Sequence, residues 1–215
     1  MALATYDNLK TAIGTWNVNR TDLPTTDLVS LAEARLNRDL RLRVMETDQA
    51  LTATAGARTV PLPAGFLEPL ALFLLLGSGR EALVFVPDQM ETSTTAGQPW
   101  CWSVDGGNLV FDRPADQAYD LTLKMLTAFS LSAAAPTNWL LTNHPDLYLA
   151  ACNVEAALWL VDADQFARWT GRYDETLASV NAHESRSRAP GDLRVDPALR
   201  ASAMRRATFD IATGR

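Results

Sequence analysis

The sequence predicts an α+β protein: an antiparallel helical bundle formed by N- and C-terminal helices, an inserted small β-rich module, and an extended C-terminal arm. Three observations lead there. Apolar residues recur at helical spacing near both ends of the chain, switch to short alternating runs separated by turn residues in the middle, and lose their period beyond Arg188. The expected bounds are 1–50 and 136–188 for the bundle, 51–135 for the module and 189–215 for the arm.

The first helix is written as Tyr6, Leu9, Ile13 and Trp16, one apolar stripe in steps of three and four. "NVNRTDLPTTD" then ends it with turn residues and a proline. A second helix is expected from Thr25 or Thr26, where hydroxyl and carboxylate oxygens can cap its first free amides. Its stripe is Leu28, Leu31 with Ala32, Leu36, Leu40 and Val44. The opposite face mixes charges: Glu33, Arg35, Arg38, Asp39, Arg41, Arg43 and Glu46. Such a face can be solvated or can meet a second protomer, and Glu33, Arg35, Arg38, Arg41 and Arg43 are the candidate protomer interface.

Between Leu51 and Ser132 lie "RTVPLP", "LALFLLL", "ALVFV", "WCWSV", "NLVF" and "YDLTLKMLT", punctuated by "GSGR", "TAGQP", "DGG" and "RPADQ". "VDGGNLVF" predicts a tight hairpin, because Gly-Gly suits a turn with two positive φ angles. In "AYDLTLKML", Tyr119, Leu121, Leu123 and Met125 share one face and Asp120, Thr122 and Lys124 the other. "QPWCWSV" is expected to put Trp100 and Trp102 on one strand face packed on a core.

A capping loop, "PTNWLLTNHPD", follows, with Pro145 at a first helical position and Asp146 in the first turn. Leu147 to Val161 is apolar on nearly every side, which places that helix in a core. Glu155 interrupts it, and the expectation is a buried structural carboxylate paired with Arg35, Arg38 or Arg43. The last helix carries Phe166, Trp169, Tyr173, Leu177 and Val180.

Composition bounds the function. A chain of 215 residues with 47% hydrophobic and 20% charged residues can build a sizeable core without staples. Cys101 and Cys152 are too few and too far apart for a zinc set, and read as reduced, buried thiols. No run approaches the ~20 apolar residues of a membrane span, and no leader is expected. A net charge of -6 argues against general nucleic-acid binding. The stretch from His183 to Arg215 has seven Arg against four acidic residues, a net +3, so the rest carries -9. An arginine-bearing arm on an acidic body fits docking on an acidic partner.

No catalytic, nucleotide or metal motif is present, and nothing calls for a cofactor. One enzymatic alternative is a site at Glu155 and His144, with burial raising the carboxyl.

Taken in order, "TYDNLKTAIGTWNVNRTDLPTTDLVSLAEARLNRDLRLRVME", "VPLPAGFLE", "GQPWCWSVDGGNLVFDRPADQAYDLTLKM" and "PTNWLLTNHPDLYLAACNVEAALWL" resemble the head-to-tail adaptor (connector) proteins of short-tailed bacteriophages, the tail tubular protein A-like family. The resemblance runs from about Thr5 to Arg188. It implies a structural virion protein at the head–tail junction, made in the host cytoplasm. Its partners would be a homo-oligomeric ring of usually twelve copies, the portal protein and the tail nozzle protein, with genomic DNA passing through unbound and no membrane involved. It also implies an arm that reaches the portal, for which Arg194, Arg200, Arg205, Arg206 and Phe209 are the candidates. An acidic channel would repel DNA phosphates and let the genome slide. Another neck or tail-completion protein is the alternative within the virion.

Overall fold

The computed structural model describes residues 3–77, 79–87 and 92–188. The chain divides into a unit spanning Met1–Asn181 and a second spanning Ala182–Arg215, of which the structure describes only the end of a helix.

The first unit corrects the predicted fold class. It is a mixed α/β structure with five helices and a seven-stranded, nearly closed barrel-like sheet, and not a helical bundle carrying a small β-module. Two helices, α1 (Tyr6–Trp16) and α2 (Thr25–Asp39), lead into strands β1 (Glu46–Ala53), β2 (Thr59–Pro61), β3 (Phe66–Leu76), β4 (Gly79–Phe85), β5 (Cys101–Asp105), β6 (Asn108–Phe111) and β7 (Tyr119–Thr127). Helices α3 (Trp139–Asn143), α4 (Pro145–Leu160) and α5 (Ala163–Arg188) follow. The strand order is β1-β7-β3-β4-β5-β6-β2, antiparallel except for the β4–β5 pair, and β2 comes round beside β1.

The sheet has a core of its own. Leu72, Leu74, Trp102, Phe111, Leu121 and Leu123 fill the interior, all buried to 1% exposure or less. The indole N–H of Trp102 donates to the carbonyl of Leu83 at 3.2 Å, which satisfies the single polar group of that side chain. The alternation read in β7 is present: Tyr119, Leu121, Leu123 and Met125 are buried, and Asp120, Thr122 and Lys124 are not. The Asp-Gly-Gly hairpin is present too, with Gly106 and Gly107 at φ 54° and 83° between the paired Asp105 and Asn108. β3 runs unbroken through Glu68 and Pro69, with register shifts against β7 on either side of that pair. The tryptophan pair divides: Trp102 is buried inside the sheet, while Trp100 precedes β5 and is 56% exposed.

A second core joins helices from both ends of the chain, with Leu9, Ile13, Leu28, Leu36, Leu147 and Tyr148 at its centre. α4 begins at Pro145 and buries ten residues from Leu147 to Ala157, as its all-round apolar character requires. α2 departs from its prediction. It ends at Asp39, Leu40 and Leu42 are buried in extended backbone, and Leu31 and Val44 are exposed. Its start carries no side-chain cap; the amide of Leu28 bonds the Pro24 carbonyl instead. Trp16, expected in the α1 stripe, is 60% exposed and lies edge-on to Trp169, at 5.4 Å between ring centres. α3 is an unpredicted short helix, capped by Asn138, whose side-chain oxygen accepts from the Leu141 amide at 2.8 Å.

Candidate assembly surface on the second helix

α2 holds most of the residues singled out from the sequence, and its polar side does two things. Glu33 and Asn37 lie four residues apart on one face of α2, and Arg41 follows just past its end. Each reaches a neighbouring element. Glu33 Oε1 accepts from the backbone amide of Leu131 and from the Tyr148 hydroxyl, both at 2.6 Å. The Asn37 side chain donates to the Phe129 carbonyl at 2.9 Å and accepts from the Phe129 amide at 2.8 Å. Arg41 sits one residue past the helix cap and bonds three of the last carbonyls of α2, those of Asn37, Arg38 and Leu40. Its other nitrogens hold Glu68 of β3 at 2.6 and 2.8 Å. Together these three bind the connector leaving β7, and β3 itself, to α2.

Burial pushes the Glu33 carboxyl above the ordinary glutamate value of 4.5, while the bonds from Tyr148 and Leu131 pull it back. Tyr148 is fully buried, and burial together with the Glu33 carboxylate raises its hydroxyl well above the usual tyrosine range. A similar pair joins α5 to α2: the Tyr173 hydroxyl donates to Asp39 at 2.6 Å, and burial, with Asp39, raises Tyr173.

Arg35 points to α4. Its Nη2 lies 2.7 Å from Glu155 Oε1 and its Nε 2.8 Å, with side-chain exposures of 26% and 11%. Arg38 and Arg43 are exposed. Asn153, the other polar interruption of α4, is fully buried and accepts from Asn17 at 2.7 Å, while its own amide donates to the Leu149 carbonyl at 2.9 Å. Thus Glu33, Arg35 and Arg41 engage partners inside the chain, and Arg38 and Arg43 stand at the surface. The arm residues Arg194, Arg200, Arg205, Arg206 and Phe209 lie outside the described residues.

Several functional side chains escaped the sequence reading. Asn37, Tyr148 and Tyr173 carry no motif, and only the tertiary fold brings them to partners 92 to 134 residues away. Asp112 is another. It is buried to 1%, accepts from the amides of Trp100 and Cys101, and holds Arg113 at 2.6 Å, which fixes the approach to β5.

His144 and Glu155 do not converge. Eleven residues of one helix separate them by about 16 Å along its axis, and His144 lies against the Trp139 ring at 5.4 Å. An open cleft of 560 Å³ beside α1 is lined by Asp7, Lys10 and Arg20 among others, yet Lys10 is paired with Asp7 and Arg20 with Asp22. Among the described residues no group of His, Cys, Asp or Glu could hold a metal ion, and no helix is long and apolar enough to cross a membrane.

Glu33, Asn37, Arg41, Arg35 and Glu155 thus join helices, connector and sheet. The family model for the SU10 adaptor protein matches residues 4–196, and the chain belongs to that family. It is a phage adaptor, a structural component of the virion. No curated protein matches it.

Proposed function

We propose that the chain is a head-to-tail adaptor of the tail tubular protein A-like kind, forming a ring between the portal and the tail nozzle through which DNA passes without specific binding. One observation carries the ring. The chain exposes large apolar side chains in the β region, among them Leu70, Leu75, Val84, Phe85 and Trp100, and in the helical region, among them Trp16, Leu31, Leu158, Trp159 and Val161. Apolar surface of this kind marks contact sites, and a cyclic ring needs two different faces on every protomer. Arg38 and Arg43, both exposed, would add charge to a contact between protomers. Glu155, held by Arg35, serves as a structural carboxylate behind it.

Mass photometry of the purified chain, alone and mixed with the portal ring of the same virus, tests this. A mass gain near twelve chains on the portal is the expected result. A gain on a tail tube and none on the portal would make the chain another neck or tail-completion protein. No assembly with either would overturn the reading.

A further inference from the structure

We infer that the outer face of β3 and β4 in one copy docks on the corner between α4 and α5 of the next copy. Leu75 enters a pocket there, and Arg80 meets Asp162 and Asp164 at its rim. The inference rests on the proposed ring and names the two faces that join its protomers.

The sheet supplies the first face. β3 and β4 pair Phe73 with Ala82 and Leu75 with Arg80. Leu72, Leu74 and Leu83 belong to the core inside the sheet, so the alternate residues Phe73, Leu75, Ala82 and Val84 point out. An antiparallel sheet with one wet face commonly turns polar side chains that way. β7 follows the rule next door, where Thr122 and Lys124 pair with Phe73 and Ala71. β3 and β4 break it: Leu75 and Val84 are exposed and Phe73 is only half-buried. One charge interrupts this apolar strip. Arg80 lays its guanidinium 4.4 Å from the centre of the Phe73 ring and forms no ion pair among the described residues. Glu81 is on the opposite face and accepts from Gln98 at 3.1 Å. An arginine seated among apolar side chains is a frequent centre of protein contacts.

The helices supply the second face. A pocket of about 250 Å³ is lined by Ala157, Leu158, Val161, Asp162, Ala163 and Phe166. Small-molecule sites run to ~300–1,000 Å³ with several convergent polar groups. Asp162 is the only polar side chain among these six, so the hole suits a protruding apolar side chain. Val161 on its wall has φ 55° and is 90% exposed. Left-handed backbone strains a β-branched residue, and glycine or asparagine closes a helix without that cost. At such exposure no packing inside the chain offsets the strain, which points to a contact outside it. Asp162 accepts from the Gln165 amide at 3.0 Å, and Asp164 is exposed. Neither carboxylate is ion-paired among the described residues.

A second copy fits as the occupant. Both faces stay exposed in the folded chain, so neither covers the other within one molecule. They are complementary: an apolar knob beside a cation, against an apolar hole beside two carboxylates. Leu75 and Arg80 are cross-strand neighbours with ~5 Å between their Cβ atoms, and Val161 and Asp162 adjoin in sequence, so the apolar and charged contacts can form together. Two unlike faces on one chain give head-to-tail association, which makes a ring where the rotation closes.

The test uses full-length chains, followed by mass photometry alone and with the portal ring. Arg80→Glu and Asp164→Arg, each by itself, should raise the concentration for half-assembly at least about tenfold, because like charges then face each other. The chain carrying both changes should return to within about threefold of the unsubstituted chain, since the pair is restored in reverse. Leu75→Cys with Val161→Cys, oxidised mildly and separated without reductant, should give a ladder of covalent multimers. Cys101 and Cys152 are buried, and the unsubstituted chain is the control. A crosslinked monomer overturns the inference. Normal rings from both charge variants, with no crosslink, overturn it and leave the ring standing. Single variants that fail and are not rescued, again with no crosslink, assign Arg80 and Asp164 to separate contacts and overturn it too. Failure of the unsubstituted chain to assemble, alone or on the portal, sinks the ring and this contact together.

Discussion

Glu33 shows how little a residue type says without its surroundings. In the sequence it is one of several charges on a helix face, and such charges are usually solvated. In the structure its carboxylate is the shared acceptor for a buried hydroxyl and a backbone amide. Glu33→Ala should cost about 2 kcal/mol in denaturant unfolding, because two donors lose their partner at once. Glu33→Gln keeps an acceptor and should cost less. The pH dependence has a definite sign. The folded state holds the Glu33 proton more tightly than the unfolded chain, since burial raises this carboxyl above 4.5. The group therefore favours the fold below that value, and the contribution is lost as pH rises through the raised one. Melts of the native chain and of Glu33→Gln across this range should differ in slope, the native chain losing stability as pH rises. Val161 offers a second residue-scale prediction. It is a β-branched residue at φ 55° and is 90% exposed, a backbone conformation that Asn tolerates far better. Val161→Asn should stabilise the isolated chain by about 0.5–1 kcal/mol, read as a rise in Tm. If Val161 lies in the helical contact of the ring, the same change weakens assembly. Glu155 was legible because a lone carboxylate on an apolar helix has to meet something. Glu33 and Asn37 were not, because their partners come from the far side of the sheet in sequence.

At the scale of elements, those whose signal is local were readable and those defined by a partner were not. α4, the Asp-Gly-Gly hairpin and the alternation of β7 each follow from neighbouring residues. β1, "ETDQALTA", has no apolar alternation because half of it is exposed on both faces, and it is a strand only through its pairing with β7. The expected continuation of α2 failed for a related reason. Leu40 and Leu42 are apolar in steps of two, but Leu36, Leu40 and Val44 also fit a helix, and only burial against the second core decides between them. The Arg35–Glu155 pair is the element-scale bond between α2 and α4. Arg35→Ala should cost about 2 kcal/mol, less than a fully buried pair because both groups keep some exposure. The double variant Arg35→Met with Glu155→Gln should regain most of that loss, a comparison that a double-mutant cycle checks directly. Gly107→Ala should cost about 1 kcal/mol, since a φ of 83° strains any residue with a Cβ.

At the scale of the whole first unit, two cores share one connector. The segment after β7 is gripped by Glu33 and Asn37, and β3 is tied to α2 through Arg41. Separate cores often melt separately, but bonds to the connector's own backbone make the two depend on each other. A single thermal transition is expected, with the amides of Phe129 and Leu131 exchanging as slowly as those of α4. Two transitions, or fast exchange at these amides, would show that the clamp does not couple the cores. The predicted layout recognised that helices from both termini must meet, but it underestimated the sheet. Seven strands in the order β1-β7-β3-β4-β5-β6-β2 depend on pairings between distant segments, and short runs of alternation do not reveal how many of them close on one another.

The pairing of Asn17 with Asn153 has a consequence for synthesis. The N-terminal helices leave the ribosome first, yet the residues that complete their core lie more than a hundred positions later. At ordinary translation rates that gap is on the order of 5–20 s, during which the apolar faces of α1 and α2 have no cover while the sheet between them can already close. The nascent chain is thus most prone to sticking before α4 emerges, and chaperone occupancy should fall sharply once it does.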